Sequence, residues 1–178
     1  MTGDDLFIRY ASVEDIQILA ELGARTFHDA YAAESDPQEM EDYISSNFSH
    51  AQIASQINDP STTFLLAYIG EQPIGYARLR VGHAPACVRG PEPIELVRLY
   101  LDQRVIGRGH GSALMRACLE EAARLGRQTI WLGLWELNLR ARLFYERWGF
   151  KDAGTHGFVF GDEVHDDPVM ERAVKEDT

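Results

Sequence analysis

Ile106-Gly107-Arg108-Gly109-His110-Gly111-Ser112-Ala113-Leu114 alternates three glycines with other residues, between an apolar strand-like run and a helix-like one. Glycine removes side chains that would hold an anion away, and it reaches the positive-φ conformations that turn successive N–H groups inward. A following helix adds its own unpaired N–H groups and the positive end of its dipole. The stretch therefore predicts a seat for a phosphorylated cofactor on the backbone of Gly107, Arg108, Gly109, His110, Gly111 and Ser112. It is not a P-loop, because no Gly-Lys-Ser/Thr follows, and Ser112 stands where a dinucleotide fingerprint would place its third glycine. Taken alone, the loop fits a tight strand-to-helix turn equally well.

Leu6–Tyr10 reads as a first strand, and a helix from Asp15 to about Tyr31 follows, with Ile16, Leu19, Ala20, Leu22 and Phe27 as its apolar stripe. Pro37 suits the first turn of a second helix reaching Asn47, and a third covers 51–57. Two β-rich runs, 63–69 and 74–81, flank Gly70 and Pro73 as a hairpin. On the next strand, 94–101, Glu95, Val97, Leu99 and Leu101 share a face. After the glycine loop, Leu114, Ala117, Cys118, Ala122 and Leu125 repeat at helical spacing as far as Gly126. The strand 129–134 is nearly all apolar and so central. Asn138 can cap a helix that reaches Trp148 and ends at Gly149. Short strands at 158–160 and 169–171 enclose an acidic loop. The order predicts an α+β fold, a mixed and mostly antiparallel central sheet flanked by helices, with one late β-α-β crossover, in a single domain over 1–178. Ligands bind beyond the carboxyl ends of such parallel strands.

The second motif is Asn138-Leu-Arg-Ala141-Arg-Leu-Phe144-Tyr145-Glu-Arg-Trp148-Gly149-Phe150. Together with the glycine loop it resembles the GCN5-related N-acetyltransferase (GNAT) superfamily, in which a strand leads into Gln/Arg-Gly-x-Gly-x-Gly/Ala and a later Asn-x-x-Ala-x-x-Phe-Tyr-x-x-x-Gly-Phe helix completes the cofactor site. The resemblance spans roughly 6–172. The family's Gln or Arg before the first glycine is Ile106 here, so the cradle relies on backbone, with Arg104 and Arg108 supplying positive charge.

The resemblance implies acetyl-CoA as donor, its pyrophosphate on residues 108–112 and its pantetheine arm along Leu99, Tyr100 and Leu101, pairing like an added strand. Asn138 would touch the cofactor while capping its helix. The family transfers acetyl directly to an amine in a ternary complex, so three chemical needs follow. An amine with a pKa of about 10 must lose its proton. The tetrahedral oxyanion needs a donor, usually the Leu99 N–H or a neighbour. The departing thiolate needs a proton, expected from Tyr145 as general acid. Glu95 could accept the amine proton through a water, and it reads equally as a solvated or ion-paired strand residue.

Trp131-Leu-Gly-Leu-Trp135-Glu136-Leu-Asn138 and Gly161-Asp162-x-x-x-x-Asp167 resemble the bacterial spermine/spermidine acetyltransferase branch. A polycation would suit the tail carboxylates and those of Glu34, Asp36, Glu39 and Glu41. The alternatives are acetylation of a protein N-terminus or an antibiotic amine, or a non-catalytic acetyl-CoA-binding regulatory domain. The net charge of −11 argues against nucleic-acid binding. His156 and His165 among the tail acids match no standard metal spacing, so no metal is expected. Nothing in the chain reads as a leader, a membrane span or a disulfide framework, and Cys118 falls on an apolar helix face. A cytoplasmic location without membrane association is therefore expected, and the resemblance adds a homodimer.

Overall fold

The computed structural model describes residues 5–175; the first four residues, part of the segment read for a leader, and the last three lie outside it. The strands are β1 (Leu6–Tyr10), β2 (Thr62–Ile69), β3 (Gln72–Val81), β4 (Pro93–Leu101), β5 (Thr129–Gly133), β6 (Lys151–Phe160) and β7 (Glu163–Ala173). The helices are α1 (Ile16–Tyr31), α2 (Pro37–Asn47), α3 (His50–Ile57), α4 (His110–Arg124) and α5 (Leu139–Arg147). One seven-stranded sheet runs in the order β1-β2-β3-β4-β5-β7-β6. β4 and β5 pair in parallel, and α4 crosses between them, as expected from the sequence. No described helix is long and apolar enough to cross a membrane.

The described residues cluster into two compact units: the chain up to Leu79 with Arg98–Cys118, and Arg80–Val97 with the chain from Leu119 onward. In the first, local chemistry sets the helices. Ser12 and Asp15 form a capping box ahead of α1, Asp36 accepts from the Gln38 and Glu39 amides at the start of α2, and Ser49 accepts from Gln52 N–H at the start of α3. The core of this unit is aromatic. Phe27 stacks on Tyr43 with ring centroids 4.5 Å apart, and Phe48 lies 5.7 Å from Phe27 and 6.3 Å from Tyr100.

This core also holds a cation. Arg98 is 7 % exposed, with its guanidinium 4.5 Å above the Phe48 ring and Nη1 donating to Gln56 Oε1 at 3.2 Å. Along β4 the buried positions are Ile94, Leu96 and Arg98, whereas Glu95, Val97, Leu99 and Leu101 stay half-buried. The strand thus leaves its more apolar face only partly covered.

In the second unit, β5 has four consecutive buried residues, as a central strand should. The acidic tail departs from expectation. Instead of short strands around a loop, β6 and β7 form a long antiparallel hairpin that turns at Gly161-Asp162. Backbone pairing carries it, and most of its side chains remain exposed or half-buried, so charge is tolerated at little cost and hydrophobic alternation is weak.

Gly23 in α1 faces this aromatic core, where an added Cβ would strike the Phe48 ring and come within 2.7 Å of the Tyr76 hydroxyl. Gly23→Ala should therefore lower the unfolding free energy by about 1–3 kcal/mol in urea denaturation, despite alanine's better helix propensity.

Candidate functional site

The donor half begins at the end of β4. The Asp102 amide donates to Ile74 O of β3 at 2.8 Å, and the Tyr100 carbonyl abuts Gly75, also of β3. Peptide groups alternate sides along a strand, so even-numbered residues of β4 face β3. Leu99 and Leu101, like Val97, direct N–H and C=O to the opposite edge. On that edge the ladder to β5 pairs Pro93–Glu95 with Thr129–Trp131 and stops, while β4 continues for six residues. Leu99 and Leu101 thus offer a peptide edge in a half-buried apolar setting. Tyr100 does not; its ring lies 5.6 Å from Tyr76, and burial pushes its phenol well above the usual range.

Asp102, which the sequence reading passed over, anchors the turn that follows. Its Oδ1 accepts from the Arg104 amide at 3.0 Å and from Arg104 Nε at 3.0 Å; Oδ2 accepts from Arg104 Nη2 at 2.7 Å and Arg25 Nη2 at 2.9 Å. The Arg104 hydrogen bonds outweigh burial and hold the carboxyl at about 2. The only prior signal was local: an acid two residues before an arginine at a strand end. Arg104 is therefore engaged by Asp102, which leaves exposed Arg108 as the cation of the glycine loop.

Gly107 and Gly109 have φ of 84° and 85°, as the cradle reading requires. A Cβ at either would meet nothing within 4 Å, so backbone conformation alone demands glycine there. Gly111 differs from expectation in lying within α4, which starts at His110. The Ala113 amide makes the first helical bond, to Gly109 O at 3.2 Å. The amides of His110, Gly111 and Ser112 precede it and have no carbonyl within the helix to reach.

In the second unit, Asn138 caps α5 by accepting from Ala141 N–H at 3.1 Å. Tyr145 lies two turns further along the helix. Its ring packs 5.4 Å from Phe144 and 5.5 Å from Phe150, which is 2 % exposed, and its carbonyl accepts from the Phe150 amide at 3.1 Å. Gly149, at φ 85°, makes that return possible. Glu95 Oε2 accepts from Arg80 Nε at 3.1 Å and from Arg80 Nη2, so the ion-paired reading of this residue is the one realised.

The model of the Acetyltransferase (GNAT) family matches residues 22–150. The chain belongs to the GNAT family. An uncharacterized N-acetyltransferase of Mycobacterium tuberculosis is 35% identical over 159 residues, 89% of this chain and 97% of that protein. Another, from Lactobacillus delbrueckii subsp. lactis, is 26% identical and covers 98% of this chain and 99% of its own. Among solved structures, the PaiA N-acetyltransferase of Thermoplasma acidophilum, in complex with coenzyme A, superposes with a TM-score of 0.79 at 22% identity, over 95% of this chain and 99% of that one. This GNAT protein is thus an acetyl-CoA-dependent N-acetyltransferase.

The features on this chain fit that donor: a peptide edge on β4, a glycine turn without side chains above it, and helix-start amides. The Asp102 knot should also register in stability. The native carboxyl titrates at about 2 against an ordinary 3.8, so its stabilisation is complete above about pH 4 and is lost as pH falls through 2. Asp102→Asn should remove about 2 kcal/mol at pH 7 and flatten that acid-side loss in urea titrations between pH 2 and 5.

Proposed function

We propose that this GNAT enzyme acetylates a primary amine of a polyamine such as spermidine or spermine, by direct attack on acetyl-CoA within a ternary complex. On the donor side the pyrophosphate would rest on the amides of residues 108–112, and the pantetheine arm would pair with Leu99 and Leu101. Asn138 would contact the cofactor while capping α5. The Leu99 N–H would hydrogen-bond the thioester oxygen as charge builds on it. Tyr145 would hand its phenolic proton to the departing CoA thiolate. The observation that carries the donor reading is the β4 peptide edge beyond Glu95, with the glycine turn a few residues further along the chain. The coenzyme A complex of the Thermoplasma structure agrees with it.

On the acceptor side, the hairpin of β6 and β7 gathers exposed Asp162, Glu163 and Asp166 beside buried Asp167. Closely spaced carboxylates favour a flexible polycation over a single positive charge. Two thiols that form no disulfide, Cys87 and Cys118, accord with a cytoplasmic enzyme.

Purified protein should release free thiol from acetyl-CoA when spermidine is added. Release with peptides bearing a free N-terminus, and none across a panel of polyamines, would instead identify a protein N-terminus as the acceptor. Tyr145→Phe should lower kcat about 100-fold with little change in the KM for acetyl-CoA; an unchanged kcat removes Tyr145 as the acid. Gly109→Ala forces a side chain into left-handed backbone above the cradle, and acetyl-CoA binding measured by calorimetry should weaken tenfold or more.

A further inference from the structure

The pairing registers of the second unit place several groups on one face of the sheet. Directly paired residues project to the same side, and so do residues two apart. Glu95, Trp131 and Glu171 form one row across β4, β5 and β7, and Gly133 and Val169 form the next. Asp167, two residues before Val169 on β7, continues that face and pairs with His156 of β6. The His156 ring lies 6.4 Å from that of Trp131, nearly perpendicular to it.

Gly133 closes β5 and is exposed. A Cβ built there would come within 2.6 Å of His156 Nε2, and its φ is not left-handed. A side chain at this position would have to displace the imidazole. Asp167 is 6 % exposed, and its Oδ1 has no hydrogen-bond partner. A carboxylate buried without a partner is costly, so a site that keeps one calls for positive charge beside it. The charged and titratable groups around Asp167 are His156 on β6, His165 and Asp166 on β7, and Glu136 just beyond β5. His165 also faces Glu163 at 3.4 Å. Burial chiefly raises the Asp167 pKa, Glu136 and Asp166 add to the rise, and the two histidines oppose it. Among the described residues, no group of three or more His, Cys, Asp or Glu could hold a metal ion.

We propose that His156, backed by Asp167, is the base that deprotonates the acceptor ammonium, the role considered for Glu95 from the sequence. Glu95 Oε2 is engaged by Arg80, whereas Nε2 of His156 sits at the exposed carboxyl end of β5. The ammonium N–H bond breaks and its proton passes to Nε2, and the Asp167 carboxylate on the same face of the sheet favours the imidazolium electrostatically. The freed lone pair forms the bond to the thioester carbon. The C–S bond then breaks, and the thiolate takes the proton of Tyr145. The second nitrogen proton, shed as the amide forms, restores Tyr145, and the imidazolium returns its proton to solvent. The inference rests on acetyl transfer, and it does not depend on the acceptor being a polyamine.

The test is the pH dependence of thiol release from acetyl-CoA, with spermidine and with water alone, for the wild-type protein and for His156→Gln, Asp167→Asn and His165→Gln. His156→Gln should lower kcat/KM for spermidine about 100-fold at pH 7 and erase the acid limb of the profile, while the KM for acetyl-CoA holds. Asp167→Asn should cost about tenfold and displace that limb. Gly133→Ala, which dislodges the imidazole without removing it, should fall to the level of His156→Gln, and the double variant should fall no further. This non-additivity separates lost chemistry from lost folding. A wild-type rate and limb in His156→Gln, additive Gly133 and His156 losses, or loss of the limb in His165→Gln alone overturns the proposal. If spermidine yields no thiol above the water background, the polyamine reading fails, and the same variants are then read on that background, where water is the nucleophile. Loss of the background's acid limb in His156→Gln upholds the base, and an intact limb overturns it.

Discussion

The buried carboxylate of Asp102 is the constraint on which the donor half depends. Its own amide ties the end of β4 to β3, and its oxygens bind the Arg104 amide, the Arg104 guanidinium and Arg25. Burying an acid is unfavourable unless its lone pairs are met, and here both oxygens are met by two cations and a backbone donor. The knot sets the direction in which the chain leaves the strand. The turn at 103–105 and the left-handed Gly107 and Gly109 follow within seven residues. A loop expected to hold an anion through amides alone needs such a fixed origin, because amides bind only where they are already aimed.

Charge is segregated within this acidic chain. Arg104, close in sequence to the cradle, neutralises Asp102, and Arg80 neutralises Glu95. What remains at the glycine turn is exposed Arg108 and the start of α4, while exposed Asp162, Glu163 and Asp166 collect at the turn of the β6–β7 hairpin. A net charge of −11 is therefore compatible with an anionic donor, since close fixed dipoles outweigh screened distant charges. The same distribution suits a cationic acceptor.

The β4 strand shows how site and core trade places. Its apolar residues Val97, Leu99 and Leu101 are half-exposed, and the buried face carries Arg98. A guanidinium tolerates burial because its flat faces are weakly hydrated and can lie on an aromatic ring, here Phe48, while Gln56 accepts one N–H. The partly covered apolar face is what a partner strand or an extended ligand would cover.

The sequence by itself determined what depends on near neighbours. The strand and helix periodicities, the caps at Asp36, Ser49 and Asn138, and the stops at Gly126 and Gly149 are local consequences of backbone geometry. The left-handed turn at Gly107 and Gly109 is equally local, and the two motifs together were enough to indicate the family. Tertiary structure decided the rest. Whether Glu95 is a free base or the partner of Arg80 depends on β3, fifteen residues away. The diversion of Arg104 from the cradle and the turning of the Tyr100 carbonyl toward Gly75 depend on how β4 meets β3. The two strands of the tail extend well beyond the short 158–160 and 169–171 segments legible in the sequence, because backbone pairing holds them and leaves little trace in hydropathy. The encounter of His156, Gly133 and Asp167 needs three strands in register, and no spacing along the chain encodes that.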